Sequence, residues 1–455
     1  MQFEASPHLP PLPTRRDFGW AAWLVIVIMV AFIAIRVQTN ASQVGTNDNP
    51  MVALQLNLQA RLAVGSKAAM AKAGKGLPPE LAGKMDEFLQ AMEKMAVSPE
   101  EKLDVAIIAG EIKGPDQALS RLDNLAKSSP SPELAKDLDT LRQIYAGTVG
   151  SLDAAAHAGF AERHGFFGQV ALAYGVAADA EPRKSMEESA LGLLLRVGFA
   201  GGIIFLVFLA SVGLFIAAIV FVATGKIKRA YIPEPSANTA FLEGFALYLV
   251  AYIALGFLLR QFNVRTLAGS WLSLLIIPLV MYWTARRGVG RPQRSMAFGW
   301  HQGQGWLKEM ALGMAGFLAC LPFVFLGMLI TIRLVSLTQA EPTHPIVGML
   351  EGGFWHVMAL YGLACGMAPV LEETMFRGAL FHHLRRRWGW LVSAGTVSLL
   401  FAMIHPQGWT FIPALGSIAV VLALLREWRG SIIASMTAHA LSNFIVLSLA
   451  LLLLR

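Results

Sequence analysis

The sequence predicts an all-α protein: a polytopic transmembrane helical bundle of about nine spans with an inserted α-helical extramembrane domain. Of its 455 residues, 55% are hydrophobic and only 15% are charged, whereas soluble domains carry about 25% charged residues. Apolar runs of about 20 residues, long enough to cross a bilayer, recur along most of the chain. One long polar stretch, residues 37–188, separates the first of these runs from the rest.

The first apolar run, Trp20–Ile35, follows Arg15-Arg16. It is longer than the apolar core of a secretory signal peptide, roughly 7 to 15 residues, and no small-x-small cleavage site follows it. We therefore expect residues 1–36 to form an uncleaved signal anchor helix.

Residues 37–188 are predicted to form a helical domain outside the membrane. Ser98-Pro-Glu-Glu101 is a capping box with proline at the first helical position. Gly114-Pro115 ends this helix and opens another, and Ser131 begins a third. Two roles stay open with equal weight: a helical cap packed on the membrane domain, or a module that binds a protein partner.

Eight further apolar runs follow this stretch. We assign residues 189–239 to one transmembrane helix and a linker, and residues 240–455 to a single intramembrane domain. The predicted spans are approximately Val197–Thr224, Thr239–Leu259, Leu267–Trp283, Ala311–Val335, Phe354–Met375, Gly389–Met403, Trp409–Leu425 and Ser431–Leu454.

Lysine and arginine residues predict how these spans are oriented. With the N-terminus inside, every second loop is the more basic one, as the positive-inside rule requires. Residues 37–188 and the C-terminus then lie outside the cytoplasm. The net charge of +7 reflects this topology rather than nucleic-acid binding. We expect an integral, multi-pass protein of a bacterial inner (plasma) membrane, in contact with the lipid bilayer.

Two adjacent acids, Glu372 and Glu373, interrupt one of the apolar spans, and Arg377 follows them. Each charged group at that depth costs roughly 2.5 to 3.5 kcal/mol, so a simple anchor would not carry them. Glu373 and Arg377 are four residues apart with the acid N-terminal, the better orientation for an ion pair. Glu372 projects about 100° away around the helix, into a cavity where it would act on water. The alternative is an ion pair that only locks helices together.

Later spans place histidines in apolar surroundings. His405 ends one span, where a histidine is more often an interfacial residue than a catalyst. His439 and Asn443 are four residues apart, so both project from one face of the last helix. A neutral imidazole and a carboxamide can donate hydrogen bonds to a developing oxyanion. The alternative is an interhelical hydrogen bond, worth about 0.6 to 2 kcal/mol.

Glutamate and histidine are also zinc ligands, and about three of them with a water molecule make a catalytic site. Glu372, His405 and His439 are candidate ligands for Zn²⁺, although HExxH is absent and no span has a His-His pair at helical spacing. Cys320 and Cys365 form no CxxC motif and indicate no disulfide framework. The sequence permits a metal without specifying one.

Three motifs follow one another on these hydrophobic segments. They are EExxxR at Glu372–Arg377, FxxxH at Phe401–His405 and HxxxN at His439–Asn443. With them, residues 240–454 resemble the CAAX-protease and bacteriocin-processing family of intramembrane endopeptidases, which includes the type II prenyl-protein proteases. The resemblance does not extend to the anchor helix or to residues 37–188.

The resemblance implies a role for each catalytic residue. Glu372 would be the base that activates water, helped by His405. His439 and Asn443 would stabilise the oxyanion.

The remaining motif residues, Glu373, Arg377 and Phe401, would support the site. Glu373 and Arg377 would hold the helix and tune the site. The family has been interpreted both as metalloproteases and as glutamate-dependent proteases, so metal dependence stays open.

The leading hypothesis is an intramembrane endopeptidase that uses a Glu/His-activated water on a membrane-tethered, lipidated or leader-bearing peptide. An alternative is a catalytically silent scaffold or immunity protein of the same fold that binds a partner through residues 37–188. A transporter with buried acids as a proton relay is a third hypothesis, but the internal repeats expected of transporters are not found.

Overall fold

A computed structural model describes most of the chain. The described residues are 17–44, 50–74, 78–128, 130–147, 154–233, 238–262, 264, 267–338 and 352–454. Every element within these ranges is a helix, which confirms the all-α fold class.

Two compact units make up the chain. The membrane unit comprises Met1–Ser42 and Phe205–Leu449, and the helical unit comprises Gln43–Ile204 with Ala450–Arg455.

The helical unit contains six complete helices and the first half of a seventh. They are α2 (Pro50–Lys72), α3 (Pro79–Met95), α4 (Pro99–Lys113), α5 (Pro115–Ala126), α6 (Pro132–Tyr145), α7 (Ala154–Leu172) and α8 (Arg183–Ala223).

Three of these helices begin where the sequence predicts. Ser98 Oγ accepts a hydrogen bond from the N–H of Glu101 at 3.1 Å, and Glu101 Oε2 accepts one from the N–H of Ser98 at 3.0 Å. This is the predicted capping box before α4. α5 begins at Pro115, directly after Gly114 with its φ of +100°. The side chain of Ser131 caps α6.

α4 packs against all of α2, α3, α5, α6 and α7. Its Leu103 and Ile107 are completely buried. The buried carboxylate of Glu111, near the end of α4, binds two cations. Lys67 Nζ on α2 lies 2.8 Å from Oε1, and both terminal nitrogens of Arg183 on α8 lie within 2.8 Å of the carboxylate. This network joins the start of α8 to the centre of the helical unit.

The membrane unit contains α1, the second half of α8 and twelve further helices. They are α1 (Gly19–Val44), α9 (Ala240–Gln261), α10 (Leu267–Ser270), α11 (Ile276–Arg286), α12 (Arg291–Phe298), α13 (Trp306–Ala319), α14 (Leu321–Thr338), α15 (Phe354–Tyr361), α16 (Ala368–Glu373), α17 (Phe381–Arg385), α18 (Trp390–Met403), α19 (Ile412–Arg429) and α20 (Ile433–Leu454). Two 3₁₀ turns, Trp271–Leu275 and Trp409–Phe411, precede α11 and α19.

Seven helical stretches among the described residues are long and apolar enough to cross a membrane. They are Gly19–Thr39, Arg183–Ala223, Ala240–Gln261, Leu321–Thr338, Phe354–Arg385, Trp409–Arg429 and Ile433–Leu453. Two shorter apolar helices, Trp271–Arg286 and Trp390–Met403, occupy the positions of the other two predicted spans. The chain is therefore an integral, multi-pass membrane protein. Arg15-Arg16 and most of the predicted outer loop, Ser336–Gly352, lie outside the described residues.

One predicted span, Ala311–Val335, is wrong as a single helix. α13 ends at Ala319, and α14 begins at Leu321. Pro322 follows at the second position of α14. Because proline has no N–H, a continuous helix would lose the hydrogen bond from this position to the carbonyl of Leu318.

The span predicted at Phe354–Met375 continues to Arg385. This 32-residue stretch, which we call the motif helix, runs through α15, α16 and α17 with a π-helical turn on either side of α16. The first π turn is Gly362–Met367 and the second is Thr374–Leu380. The two acids end α16, so they lie between the π turns.

Aromatic side chains join the motif helix to its neighbours. Phe376 meets Phe245 of α9 edge to face at 5.0 Å between ring centroids, and Phe401 of α18 at 5.1 Å. All three rings are buried. Such pairs contribute about 0.5 to 1.5 kcal/mol each beyond the area they bury. They position the motif helix between α9 and α18.

Candidate active site

Glu373 and Arg377 form the ion pair that their spacing predicts. Both side chains are fully buried, and Arg377 Nη1 donates to Glu373 Oε1 at 2.9 Å. Arg377 Nη2 donates to the carbonyl of Ala419 on α19 at 2.9 Å. The guanidinium also lies over the ring of Phe401 at 4.8 Å. A charge this deep is tolerated because it is paired and hydrogen-bonded.

His439 reaches the same carboxylate from α20. Its Nδ1 lies 2.9 Å from Glu373 Oε1, the oxygen that also accepts from Arg377. Because an ionised carboxylate only accepts hydrogen bonds, Nδ1 carries the hydrogen. A neutral His439 therefore has a bare lone pair on Nε2.

The neighbouring acid, Glu372, has different surroundings. Its side chain is 25% exposed, and its Oε2 lies 3.8 Å from His439 Nε2, too far for a direct hydrogen bond. This oxygen is buried and has no hydrogen-bond partner among the described residues. Glu372 is thus the acid of the pair that is not committed to a structural contact.

His405 lies on the other side of Phe401. Its Nδ1 donates to the carbonyl of Phe401 at 2.6 Å, and the two rings are 4.3 Å apart. The charge of Glu372 acts on His405. Phe401 also meets the ring of His439 at 5.9 Å. Through Phe401, residues of all three motifs contact one another.

Asn443 contacts the motif helix in its first π turn, away from the two acids. Its Nδ2 donates to the carbonyl of Ala364, in the first π turn, at 2.7 Å. Ala364 precedes Glu372 by eight residues, about 12 Å along a helix. The other amide hydrogen and Oδ1 of Asn443 have no hydrogen-bond partner among the described residues. The structure therefore brings six of the seven predicted residues together around Glu372 and Glu373. The seventh, Asn443, lies one turn after His439 on α20 and contacts the motif helix before α16.

The described residues do not supply a three-ligand zinc site. No group of three or more His, Cys, Asp and Glu side chains is placed to hold a metal ion in the part of the chain that the structure describes. Since catalytic zinc takes about three protein ligands, the proposed mechanism is built on the side chains alone.

Sequence reasoning missed two tyrosines beside the site. Tyr248 and Tyr252 on α9 both interact electrostatically with Glu372, and Tyr248 is buried. Their spacing of four residues on an otherwise apolar helix is the signal that could have found them.

Sequence reasoning also missed a second buried arginine, Arg426 of α19, because an arginine at the end of an apolar run is typical of a cytoplasmic loop. Arg426 is completely buried. Its Nη2 donates to the carbonyls of Met296 and Ala297 at 3.0 and 2.9 Å, and its Nε to the carbonyl of Arg377 at 3.4 Å. Its guanidinium lies 4.1 Å from the ring centre of Tyr231. Arg426 thus joins the end of α12 to the second π turn.

Comparison with protein families identifies one match. Residues 354–445 match the family model described as type II CAAX prenyl endopeptidase Rce1-like. The match covers about a fifth of the chain and contains all three motifs. It confirms the family predicted from them. No curated protein and no solved structure matches the chain.

Proposed function

We propose, on the premise that residues 354–445 are a type II CAAX prenyl endopeptidase Rce1-like domain, that the chain is an intramembrane endopeptidase whose water is activated by Glu372 with help from His405. That family is one of peptidases. The observation that carries the proposal is that three motifs, from the motif helix, α18 and α20, meet around the carboxylate of Glu372. Oε2 of this carboxylate has no hydrogen-bond partner among the described residues.

Glu372 is the best placed general base. A base must reach the proton that it abstracts, and Oε2 of Glu372 has no competing hydrogen bond among the described residues. Glu372 takes one proton from water as the oxygen adds to the peptide carbonyl carbon. When the C–N bond breaks, that proton passes to the leaving amine. His405, whose Nε2 carries no hydrogen in the neutral ring, is a second acceptor near Glu372.

His439 stabilises the oxyanion only as an imidazolium. The predicted neutral ring cannot do so from Nε2, because its one hydrogen is on Nδ1 and is donated to Glu373. Protonated, the ring keeps that bond and gains a donor at Nε2. The carboxylates of Glu373 and Glu372 lie 2.9 and 3.8 Å from the ring nitrogens of His439.

The substrate class follows from the location of the site. All three motifs lie in membrane-spanning or apolar helices, except for His405, which lies two residues after the end of α18. We therefore expect a substrate to reach the site from within or along the bilayer. We propose a membrane-tethered, lipidated or leader-bearing peptide.

The test uses purified chain in liposomes with prenylated, acylated and leader-bearing peptides. We expect cleavage of at least one class and a loss of about 100-fold or more in Glu372→Gln or Glu372→Ala, the range for removal of a general base. Glu188→Gln, an exposed acid in the helical unit, is the matched control. Equal cleavage by the parent and the Glu372 variants would exclude the mechanism.

A partner-binding role for residues 37–188 is the second candidate. It is favoured by the compact helical unit, which has its own hydrophobic core. We place these residues outside the cytoplasm, with the N-terminus inside a bacterial inner membrane. A phenotype that needs residues 37–188 but survives Glu372→Ala would favour binding over catalysis. Digestion of an inserted tag only from the outer face would support the orientation.

A further inference from the structure

The motif helix is irregular on both sides of its two acids. In a π turn each N–H bonds to the carbonyl five residues back instead of four, and such turns are rare and often found at functional sites. The two π turns enclose α16, a segment of only six residues that ends in Glu372 and Glu373. The position of these acids therefore depends on how the π turns are held.

Pro369 explains why the first π turn needs outside help. At the end of this turn the N–H of Ala368 bonds to the carbonyl of Leu363, five residues back. The next bond in the same register would run from residue 369 to the carbonyl of Ala364. Residue 369 is proline and has no N–H. The carbonyl of Ala364 thus lacks its helical donor, and this part-buried carbonyl needs another partner.

Asn443 supplies that partner from α20. Its Nδ2 lies 2.7 Å from the carbonyl oxygen of Ala364. One helical turn earlier on α20, His439 Nδ1 lies 2.9 Å from Glu373 Oε1. α20 therefore holds the motif helix at both ends of α16: through a backbone carbonyl before it and through a carboxylate at its end.

The second π turn has a similar arrangement. Its last five-residue bond runs from the N–H of Phe381 to the carbonyl of Phe376. When the helix returns to α-helical pairing, one carbonyl is left without a helical donor. That carbonyl belongs to Arg377, the residue after Phe376. Arg426 Nε donates to that carbonyl at 3.4 Å. In each π turn, a side chain from a neighbouring helix thus donates a hydrogen bond to one backbone carbonyl.

We propose that Asn443 is a positioning residue whose amide N–H replaces the helical N–H that Pro369 lacks, and so fixes the α16 segment that carries Glu372 and Glu373. For its activity readout this inference rests on the proposed function. The rival role is direct hydrogen bonding of the same amide to the substrate oxyanion.

A double-mutant cycle separates the two roles. Pro369→Ala supplies an N–H that can donate to the carbonyl of Ala364 in the five-residue register, and in that register the turn no longer needs Asn443. We expect Asn443→Ala to lower kcat/KM by about 100-fold, as misplacement of a catalytic group by about 1 Å can. Pro369→Ala combined with Asn443→Ala should recover most of that loss, chiefly in kcat. A double variant as inactive as Asn443→Ala would assign the amide to the oxyanion and overturn the proposal.

Cys365 gives a readout that needs no activity. It follows Ala364 directly in the first π turn, and Cys320 is the only other cysteine in the sequence. In a Cys320→Ser background, Asn443→Ala and the isosteric Asn443→Asp should raise the rate of Cys365 alkylation, and Pro369→Ala should reverse the rise. The inference is contradicted if substitution of Asn443 does not change the alkylation rate of Cys365. It is also contradicted if Pro369→Ala does not reverse the increase in that rate. Absence of peptidase activity in the parent chain would remove the proposed function and leave this labelling cycle valid.

Discussion

At the scale of single residues, the two adjacent acids differ in what they contact. Glu373 accepts hydrogen bonds from Arg377 and His439, whereas Oε2 of Glu372 has no such partner among the described residues. The sequence predicts the Glu373–Arg377 pair because residues four apart on one helix are neighbours. It cannot predict which acid His439 binds, because that depends on how α20 is rotated against the motif helix.

The two acids should therefore differ in their effect on stability. We expect Glu373→Gln to destabilise the chain by about 3 to 5 kcal/mol, because it leaves the buried guanidinium of Arg377 without its carboxylate. Glu372→Gln should change stability little, since its Oε2 makes no hydrogen bond to lose. Thermal unfolding in detergent measures both. Equal destabilisation by the two substitutions would contradict the division of roles.

Metal dependence is a second prediction at this scale. Because the described residues bring no third His, Cys, Asp or Glu to Glu372 and His439, we expect peptide cleavage to be unchanged after treatment with a strong zinc chelator. Activity is compared before treatment, after it and after added Zn²⁺. Loss of cleavage that Zn²⁺ restores would instead support the candidate ligand set of Glu372, His405 and His439.

At the scale of helices, apolar composition predicts where each span lies but not where it breaks. The break between α13 and α14 and the first π turn both coincide with a proline inside an apolar run, Pro322 and Pro369. Each proline was available as a signal, because it removes one helical hydrogen bond. What the sequence cannot supply is the donor that replaces that bond, since Asn443 is remote in the chain.

Close packing of α13 against α20 gives a prediction at this scale. A Cβ added to Gly313 would lie 2.9 Å from the Cα of Ala434 and closer still to its carbonyl oxygen. Because backbone cannot move aside as a side chain can, Gly313→Ala should displace α20, which carries His439 and Asn443. We expect a lower unfolding temperature and a loss of peptide cleavage of about tenfold or more.

Gly416→Ala on α19 is the matched control for this change. Among the described residues, no heavy atom outside the adjoining backbone of α19 lies within 4 Å of a Cβ at Gly416. Alanine also favours a helix over glycine by about 1 kcal/mol. Stability and activity should therefore be kept. Similar losses from the two glycine substitutions would show that packing on α20 is not the cause.

At the scale of the whole molecule, hydropathy and capping residues predict most of the helices. These local signals do not predict ion pairs between residues that are far apart in the sequence. Glu111, for example, binds Lys67 and Arg183, which are 44 and 72 residues away in the chain. Nothing local to any of the three residues marks them as partners, because the contact exists only once α2, α4 and α8 have packed.

The helical unit contains a partly buried histidine, His164, between two acids, and this histidine should make the stability of the unit depend on pH. His164 Nε2 on α7 lies 3.0 Å from Asp137 on α6, and Nδ1 lies 3.8 Å from Asp104 on α4. Burial acts to lower the pKa of His164, but the two carboxylates outweigh it and raise the pKa above its usual value. Arg163 also pairs with Asp137.

The sign of the effect follows from the raised pKa. Protonated His164 stabilises the folded unit fully below the unfolded pKa of about 6.5, and this contribution is lost as pH rises through the higher folded pKa. We expect the unfolding temperature of the full chain to fall as pH rises above about 6.5, and His164→Gln to reduce that fall. An identical pH slope in the parent and the variant would exclude His164 as its source.

The measurement that tests the central claim most directly is cleavage of a membrane-tethered peptide by purified chain in liposomes, compared between the parent and Glu372→Gln at equal unfolding temperature. The account predicts cleavage by the parent and a loss of about 100-fold or more in the variant. Undiminished cleavage by Glu372→Gln would show that the carboxylate at which the three motifs meet is not the one that activates water.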